Sequence, residues 1–316
     1  MMSGIFVSSF AFLARLSALV AALGLAATGL NAASDTEAVV LAQLSPWNLD
    51  YGEDRCRLIR FFGEGDNRVV LVMEQFGLSS HFELILAGKP LRRFRRHDNV
   101  SLQMGPGFEA FERKFQRGNL GEIEPALIFG SISPVHGALE ADDDPDTDDI
   151  RMLEDSYHPT GTSLKDNGAA IQWIVVSDEN ETVRLMTGDM AKPFAALTQC
   201  TDNLIRSWDV DPEVAASVVT PPKILNVMDV APKIQRNYPK KAMYRGQSAN
   251  IQLRLIIDES GAIENCTRID VTEAENFTNI ACKVFLEHAK FEPARDAAGN
   301  PVRTYSMQRI RYVMGG

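Results

Sequence analysis

The stretch NYPKKAMYRGQSANIQLRLIIDESGAIENC, residues 237–266, decides the fold of the C-terminal part of the chain. Within it, Ile251, Leu253 and Leu255 alternate with polar residues, which is the two-residue period of a strand buried on one face. A turn follows at residues 258–261, because Gly261 can adopt a positive backbone φ angle without a steric clash. The stretch therefore predicts a β-hairpin whose first strand is half-buried.

A helix and a last strand complete this predicted unit. Apolar residues recur at helical spacing over residues 277–288, which indicates an amphipathic helix. A closing strand is predicted within residues 303–313. Before the hairpin, Pro239 suits the entry to a short helix and Gly246 suits its end. The predicted order is short helix, strand, strand, helix, strand.

The first half of the chain is rich in predicted strands. Residues 68–76 and 81–86 have the composition of two strands joined by a turn, and residues 169–178 and 181–189 that of a second pair. Apolar residues then recur at helical spacing over residues 193–208, a segment that contains Cys200. The predicted fold class is α+β for both halves, with a strand-rich α+β N-terminal domain.

Chain length and composition favour two globular units. The 316 residues, 45% of them hydrophobic, can build two cores at roughly 150 residues per domain. The Pro-containing segment at residues 211–232 is typical of a linker. We predict a signal peptide at residues 1–33, an N-terminal domain at 40–210, a linker at 211–232 and a C-terminal domain at 233–316.

The N-terminus has the layout of a secretory signal peptide. Arg15 precedes an apolar run over residues 16–30, which ends in small residues around Ala32 and Ala33. The alternative is an uncleaved membrane anchor, but the run is shorter than the ~20 apolar residues that a spanning helix needs. We therefore predict export and cleavage, with anchoring as the alternative.

If the chain is exported, its four cysteines are expected to form disulfides, because disulfides persist in oxidising compartments. Four cysteines allow three pairings. Cys56 and Cys200 fall in the first half of the chain, and Cys266 and Cys282 in the second. One disulfide in each domain is the simplest arrangement.

The sequence contains no specific signal for catalysis, a metal or a cofactor. The five histidines do not form a metal-ligand spacing with carboxylates or cysteines, and there is no CxxC pair. The formal net charge of -10 argues against a nucleic-acid binder, since such proteins neutralise phosphates with lysine and arginine. We predict no catalytic residue, no metal, no cofactor and no nucleic-acid partner.

Several features of the C-terminal unit occur together in one known family: a Tyr-Pro start, an Ala and a Gly before the first strand, a Gly-turned hairpin, a helix and an aromatic-x-Pro exit. In this chain they are Tyr238 and Pro239, Ala242 and Gly246, Gly261, residues 277–288, and Phe291 with Pro293. The set resembles the C-terminal domain of the TonB family of periplasmic energy transducers. The resemblance runs from about residue 223 to the end of the sequence.

The resemblance implies a periplasmic domain that binds an outer-membrane TonB-dependent transporter, or a similar envelope protein, by adding an extended segment to its sheet. Backbone hydrogen bonds supply affinity in that mode, and no catalytic residue is needed. We expect the contacts to lie in the closing strand and before the short helix, at Arg303, Tyr305, Met307, Arg309, Arg311, Gln235, Arg236, Asn237 and Tyr238.

Two alternatives to this function remain open. A transducer of this family has a membrane helix and a long Pro-rich spacer, whereas this chain has a compact domain in place of the spacer. If the apolar N-terminal segment is retained, the protein is an energy transducer in the inner membrane that contacts motor proteins there. The other alternative is an exported enzyme with its active site in the N-terminal domain.

Overall fold

The computed structural model describes residues 38–134, 137–138, 164, 167–270 and 276–312. Residues Thr36–Gly316 form one compact unit, as judged by the contacts that they make with one another. The predicted signal peptide lies outside the described residues. Of the helices in the described ranges, none has both the length and the apolar character that crossing a membrane requires.

The described part of the chain is strand-rich, as predicted. Its strands are β1 (Val39–Leu41), β2 (Asn48–Tyr51), β3 (Cys56–Phe62), β4 (Val69–Gln75), β5 (Phe82–Ala87), β6 (Asn99–Gln103), β7 (Phe111–Lys114), β8 (Gln116–Leu120), β9 (Ile123–Ser133), β10 (Gly137–Ala138), β11 (Ile174–Ser177), β12 (Thr182–Leu185), β13 (Val218–Thr220), β14 (Lys223–Ile224), β15 (Ala249–Ile257), β16 (Ile263–Asp270), β17 (Phe291–Glu292), β18 (Ala294–Asp296), β19 (Pro301–Val302) and β20 (Thr304–Tyr312). Its α-helices are α1 (Ala191–Arg206), α2 (Pro212–Ala216), α3 (Val227–Arg236), α4 (Lys240–Tyr244) and α5 (Ile280–His288).

Two sheets form the N-terminal region, which we define as residues 38–210. One has the strand order β1-β12-β11-β6-β7 and the other β10-β9-β5-β4-β3-β2, with β8 paired to β9. All seven residues of β4 are buried, because it lies inside the larger sheet and is covered on both faces. The two predicted strand pairs are confirmed as the antiparallel pairs β4–β5 and β11–β12.

Helix α1 closes the N-terminal region, as the sequence predicts. It buries Phe194, Leu197 and Ile205 in the same hydrophobic core as β3, β4 and β5. Cys200 on this helix forms a disulfide with Cys56 on β3, with the two Cα atoms 6.0 Å apart. This is the predicted pairing, and it joins positions 144 residues apart.

The C-terminal region contains the predicted short helix, hairpin, helix and closing strand, as α4, β15–β16, α5 and β20. The three strands form an antiparallel sheet in the order β16-β15-β20. A second disulfide, again as predicted, joins Cys266 on β16 to Cys282 on α5. Helix α5 begins at Ile280, later than predicted, because Phe277 packs against Tyr238 and Tyr312 in the segment that leads into the helix.

The prediction that β15 is half-buried is wrong, because both of its faces are covered. Leu253 and Leu255 pack with α3 and α5 in one hydrophobic cluster. On the opposite face, Ile256 belongs to the core cluster of the N-terminal region, and Gln252 is only 2% exposed. The consecutive apolar residues at positions 255–257 are the sequence feature that corresponds to burial on both faces.

The segment predicted as a linker contains regular structure. Residues 211–232 hold α2, β13, β14 and the first part of α3. β13 pairs with β18 and β14 pairs with β17, which fixes the segment to the C-terminal region through backbone hydrogen bonds. The predicted domain boundaries at residues 210 and 233 stay a prediction.

Candidate partner-binding site

An aromatic cluster fixes the start of the C-terminal region to the end of its last strand. The ring of Tyr238 lies 5.2 Å from that of Tyr312 and 5.7 Å from that of Phe277, both edge-on. The Tyr238 hydroxyl donates a hydrogen bond of 2.5 Å to the backbone carbonyl of Gln247. Burial raises the pKa of Tyr312 to about 12 and also raises the pKa of Tyr238.

The closing strand β20 packs against the N-terminal region. Tyr305 and Met307 are both 0% exposed and belong to the core cluster of that region. The backbone N–H of Leu78 donates a 2.7 Å hydrogen bond to the Tyr305 hydroxyl. Because this hydroxyl is fully buried, the pKa of Tyr305 is raised well above its usual value.

Polar contacts extend this packing along β20. Arg309 forms an ion pair with Glu83, and both side chains are largely buried. Arg303, just before β20, donates a 2.5 Å hydrogen bond to the backbone carbonyl of Asp209 in the N-terminal region, and it also binds Glu264 of β16 at 2.7 Å. A buried charge is costly without a partner, so the Arg309–Glu83 pair helps to fix the position of β20.

The sequence did not predict the contacts of Trp208 with Tyr305 and Arg254. The Trp208 ring lies 5.3 Å from the ring of Tyr305, and the guanidinium of Arg254 lies over it at 4.2 Å. Arg254 also binds Asp54 at 3.2 Å. The alternation of Tyr305 and Met307 with polar residues along β20 is the signal that a second buried face exists.

The nine residues predicted to bind a partner fall into two groups. Gln235, Arg236 and Asn237 are exposed at the end of α3, and Tyr238 is half-buried in the aromatic cluster. The others lie on or next to β20, where Tyr305, Met307 and Arg309 face the N-terminal region. The side chain of Arg311 lies outside the described residues. Their role in binding stays a prediction.

The comparison with protein-family models matches residues 234–314 to the family described as Gram-negative bacterial TonB protein C-terminal. Residues 234–314 are a TonB C-terminal domain. The match covers α4, the three-stranded sheet and α5, and it excludes the N-terminal region. No curated protein and no solved structure matches the chain.

Two structural features of the TonB C-terminal domain bear on what it can bind. Among the described residues there is no group of three histidine, cysteine or acidic side chains that could hold a metal ion. The described part of the sheet has two outer strands, and β15 is the only strand paired with each of them. An outer strand has one row of unpaired backbone groups, which can accept a further strand.

Proposed function

We propose that the protein is a periplasmic binding protein, whose TonB C-terminal domain adds an extended segment of an outer-membrane transporter to its sheet. The observation that supports this most is the three-stranded sheet within the matched residues, which pairs β15 on both sides and leaves β16 and β20 as outer strands. Strand addition needs such an outer strand and uses backbone hydrogen bonds for affinity.

The two disulfides support the periplasmic location. They join Cys56 to Cys200 and Cys266 to Cys282, and all four cysteines are paired. Disulfides of this kind persist outside the reducing cytosol. Together with the apolar N-terminal sequence, they support an exported protein that takes part in, or modulates, transport across the outer membrane.

The N-terminal region restricts how a partner reaches β20. Thr304, Ser306 and Gln308 are at most 1% exposed, and Tyr305 and Met307 are fully buried. A strand that paired with β20 would first need these residues to become accessible. Binding at β20 therefore requires the N-terminal region to separate from the sheet, whereas the exposed residues 235–237 can contact a partner directly.

A pull-down with the purified, disulfide-bonded mature protein tests the function. The bait is incubated with detergent-solubilised outer membranes, and bound proteins are identified by mass spectrometry. We expect a TonB-dependent transporter to be retained. Synthetic peptides that tile its periplasmic segments are then added, and one of them is expected to displace the transporter.

The matched control is a peptide of the same composition in scrambled order. Displacement by both peptides would show that charge or hydrophobicity alone is responsible. Retention of no transporter above the bead background would contradict the proposed function. Sizing the mature chain in the same preparation distinguishes a cleaved protein from an anchored transducer, because cleavage removes the apolar run at residues 16–30.

A further inference from the structure

The two outer strands of the TonB C-terminal domain differ in exposure. On β20, Thr304 and Ser306 are 0% exposed and Gln308 is 1% exposed. On β16, Glu264 and Asn265 are exposed, and residues 266–268 are partly exposed. Within the described part of the chain, only β16 of these two strands therefore presents an outer edge that a partner can reach without a rearrangement.

The backbone of β16 is organised for pairing. The strand is eight residues long and pairs antiparallel with β15 from Ile263 to Asp270. Within the described ranges, no other strand pairs with it. Its outer row of N–H and C=O groups is the template on which an added strand forms a ladder.

Both faces of β16 are held in place, so this edge is preorganised. On one face, Cys266 is bonded to Cys282 of α5, with 5.5 Å between the Cα atoms. On the other face, Ile269 is 1% exposed and packs in the core cluster of the N-terminal region. A rigid edge loses less conformational entropy when it binds, which favours affinity.

An exposed apolar side chain lies on α5, the helix that the disulfide bonds to β16. Leu286 on α5 is 50% exposed. It lies four residues after Cys282, so the helical repeat places it on the same side of α5 as the disulfide to β16. An added strand directs alternate side chains towards this side of the sheet, where an apolar side chain can cover Leu286.

We propose that the outer edge of β16, and not that of β20, is the docking site for the partner. The occupant is an extended peptide segment of the outer-membrane protein, with apolar side chains on the face that looks towards α5. This inference rests on the proposed function and specifies where that function takes place. It requires no separation of the N-terminal region from β20.

Amide hydrogen exchange on the full mature protein tests the site. The probe is the synthetic transporter peptide that displaces the transporter in the pull-down. We expect slower exchange in residues 263–269 when the peptide is present, and unchanged exchange in residues 304–310. Slower exchange in residues 304–310, with faster exchange around Leu78 and Trp208, would show that β20 binds after opening and would overturn the proposal.

Proline variants identify the backbone groups involved. Neighbouring residues of a strand direct their N–H groups to opposite edges, so Thr267→Pro and Arg268→Pro differ in which edge they affect. The variant that breaks the pairing with β15 will melt at a lower temperature. The variant that keeps the wild-type melting temperature has lost an outward backbone donor, and we expect it to bind the peptide about tenfold more weakly. Arg268→Pro also removes the hydrogen bond that the Arg268 side chain donates to the carbonyl of Phe277, so Arg268→Ala is measured beside it to separate the side-chain loss from the backbone loss.

Ala297→Pro is the matched control for these variants. Ala297 is exposed in the turn that Gly299 closes by donating a hydrogen bond to the carbonyl of Asp296, and proline suits that turn position. The Ala297→Pro variant should bind the peptide with the same affinity as the wild type. Wild-type binding by the folded β16 variant would overturn the proposal and leave the proposed function intact.

Leu286→Ala tests the apolar contact, and Leu225→Ala, at a residue that is 61% exposed outside the matched domain, is its control. We expect Leu286→Ala to weaken peptide binding about fivefold, and Leu225→Ala to have no effect.

Two further outcomes would contradict the proposal. Slower hydrogen exchange in β16 that depends on protein concentration and not on peptide would identify a second copy of the chain as the occupant. If the wild type binds no transporter, the proposed function and this inference both fail.

Discussion

The two outer strands of one three-stranded sheet have opposite surroundings in this protein. β20 and β16 both pair with β15, yet Tyr305 on β20 is fully buried whereas Asn265 on β16 is exposed. The difference originates outside the sheet, in the N-terminal region that packs against β20 through Trp208 and Leu78. Strand order identifies the possible docking edges, and packing from elsewhere in the chain decides which of them is accessible.

The largest effect is expected from removing the disulfide that ties together the region covering β20. Cys56→Ala with Cys200→Ala opens a loop of 144 residues, which should reduce the free energy of unfolding by about 5 kcal/mol. Guanidinium unfolding measures this loss, and hydrogen exchange should become faster in β20. A loss below about 1 kcal/mol would show that core packing alone holds this region.

Tyr305→Ala should be the next most damaging change. It removes a fully buried ring from the contact with Trp208, at an expected loss of about 3–5 kcal/mol. Tyr305→Phe keeps the ring and removes the two hydrogen bonds between its hydroxyl and the backbone of Leu78, so it should lose only about 1–2 kcal/mol. On the exposed strand, Thr267→Ala should stay within about 0.5 kcal/mol of the wild type. Equal losses for Thr267→Ala and Tyr305→Ala would remove the distinction between the two strands.

Removing the second disulfide should affect β16 instead of β20. Cys266→Ala with Cys282→Ala opens a loop of 16 residues, with an expected loss of about 3 kcal/mol. Hydrogen exchange should become faster in β16 and α5, while β20 stays protected by the N-terminal region. Faster exchange in both outer strands would show that they open as one unit.

Alkaline pH should weaken the end of β20 near the aromatic cluster. The folded protein has the pKa of Tyr312 raised to about 12, above its ordinary value of about 10. The contribution of this tyrosine to stability is therefore fully present below about pH 10, and it is lost as the pH rises towards 12. Urea unfolding at several pH values should show that the free energy of unfolding falls less between about pH 10 and 12 in Tyr312→Phe than in the wild type. Tyr305, whose pKa is also raised, is responsible for part of the fall that remains.

Most of the C-terminal fold could be predicted from the sequence because its signals are local. The alternation at Ile251, Leu253 and Leu255 gave the first strand, and Gly261 gave the turn, where it has a φ angle of 87°. The disulfide pairs followed from the position of the cysteines in the two halves of the chain. These features depend on residues close in sequence, or on a simple division of the chain.

The accessibility of the candidate site could not be predicted in this way. The alternation of Tyr305 and Met307 with polar residues indicates a buried face, but it does not identify the N-terminal region as the part that covers this face. Trp208 and Leu78 are about 100 and 230 residues away along the chain, and no local pattern reports such a contact. The predicted contacts on β20 therefore rested on strand order alone.

The sequence by itself determined the α+β class, the hairpin, the helix after it, the closing strand and the resemblance to the TonB family, because periodicity and turn residues act over a few positions. Only the tertiary structure decided which edge of the sheet is exposed. Burial of β20 depends on Trp208, Tyr305 and the Arg309–Glu83 pair, which meet only once the chain has folded. The exposure of a residue depends on contacts with residues that are distant in sequence, so the exposed edge of β16 could be identified only from the folded structure.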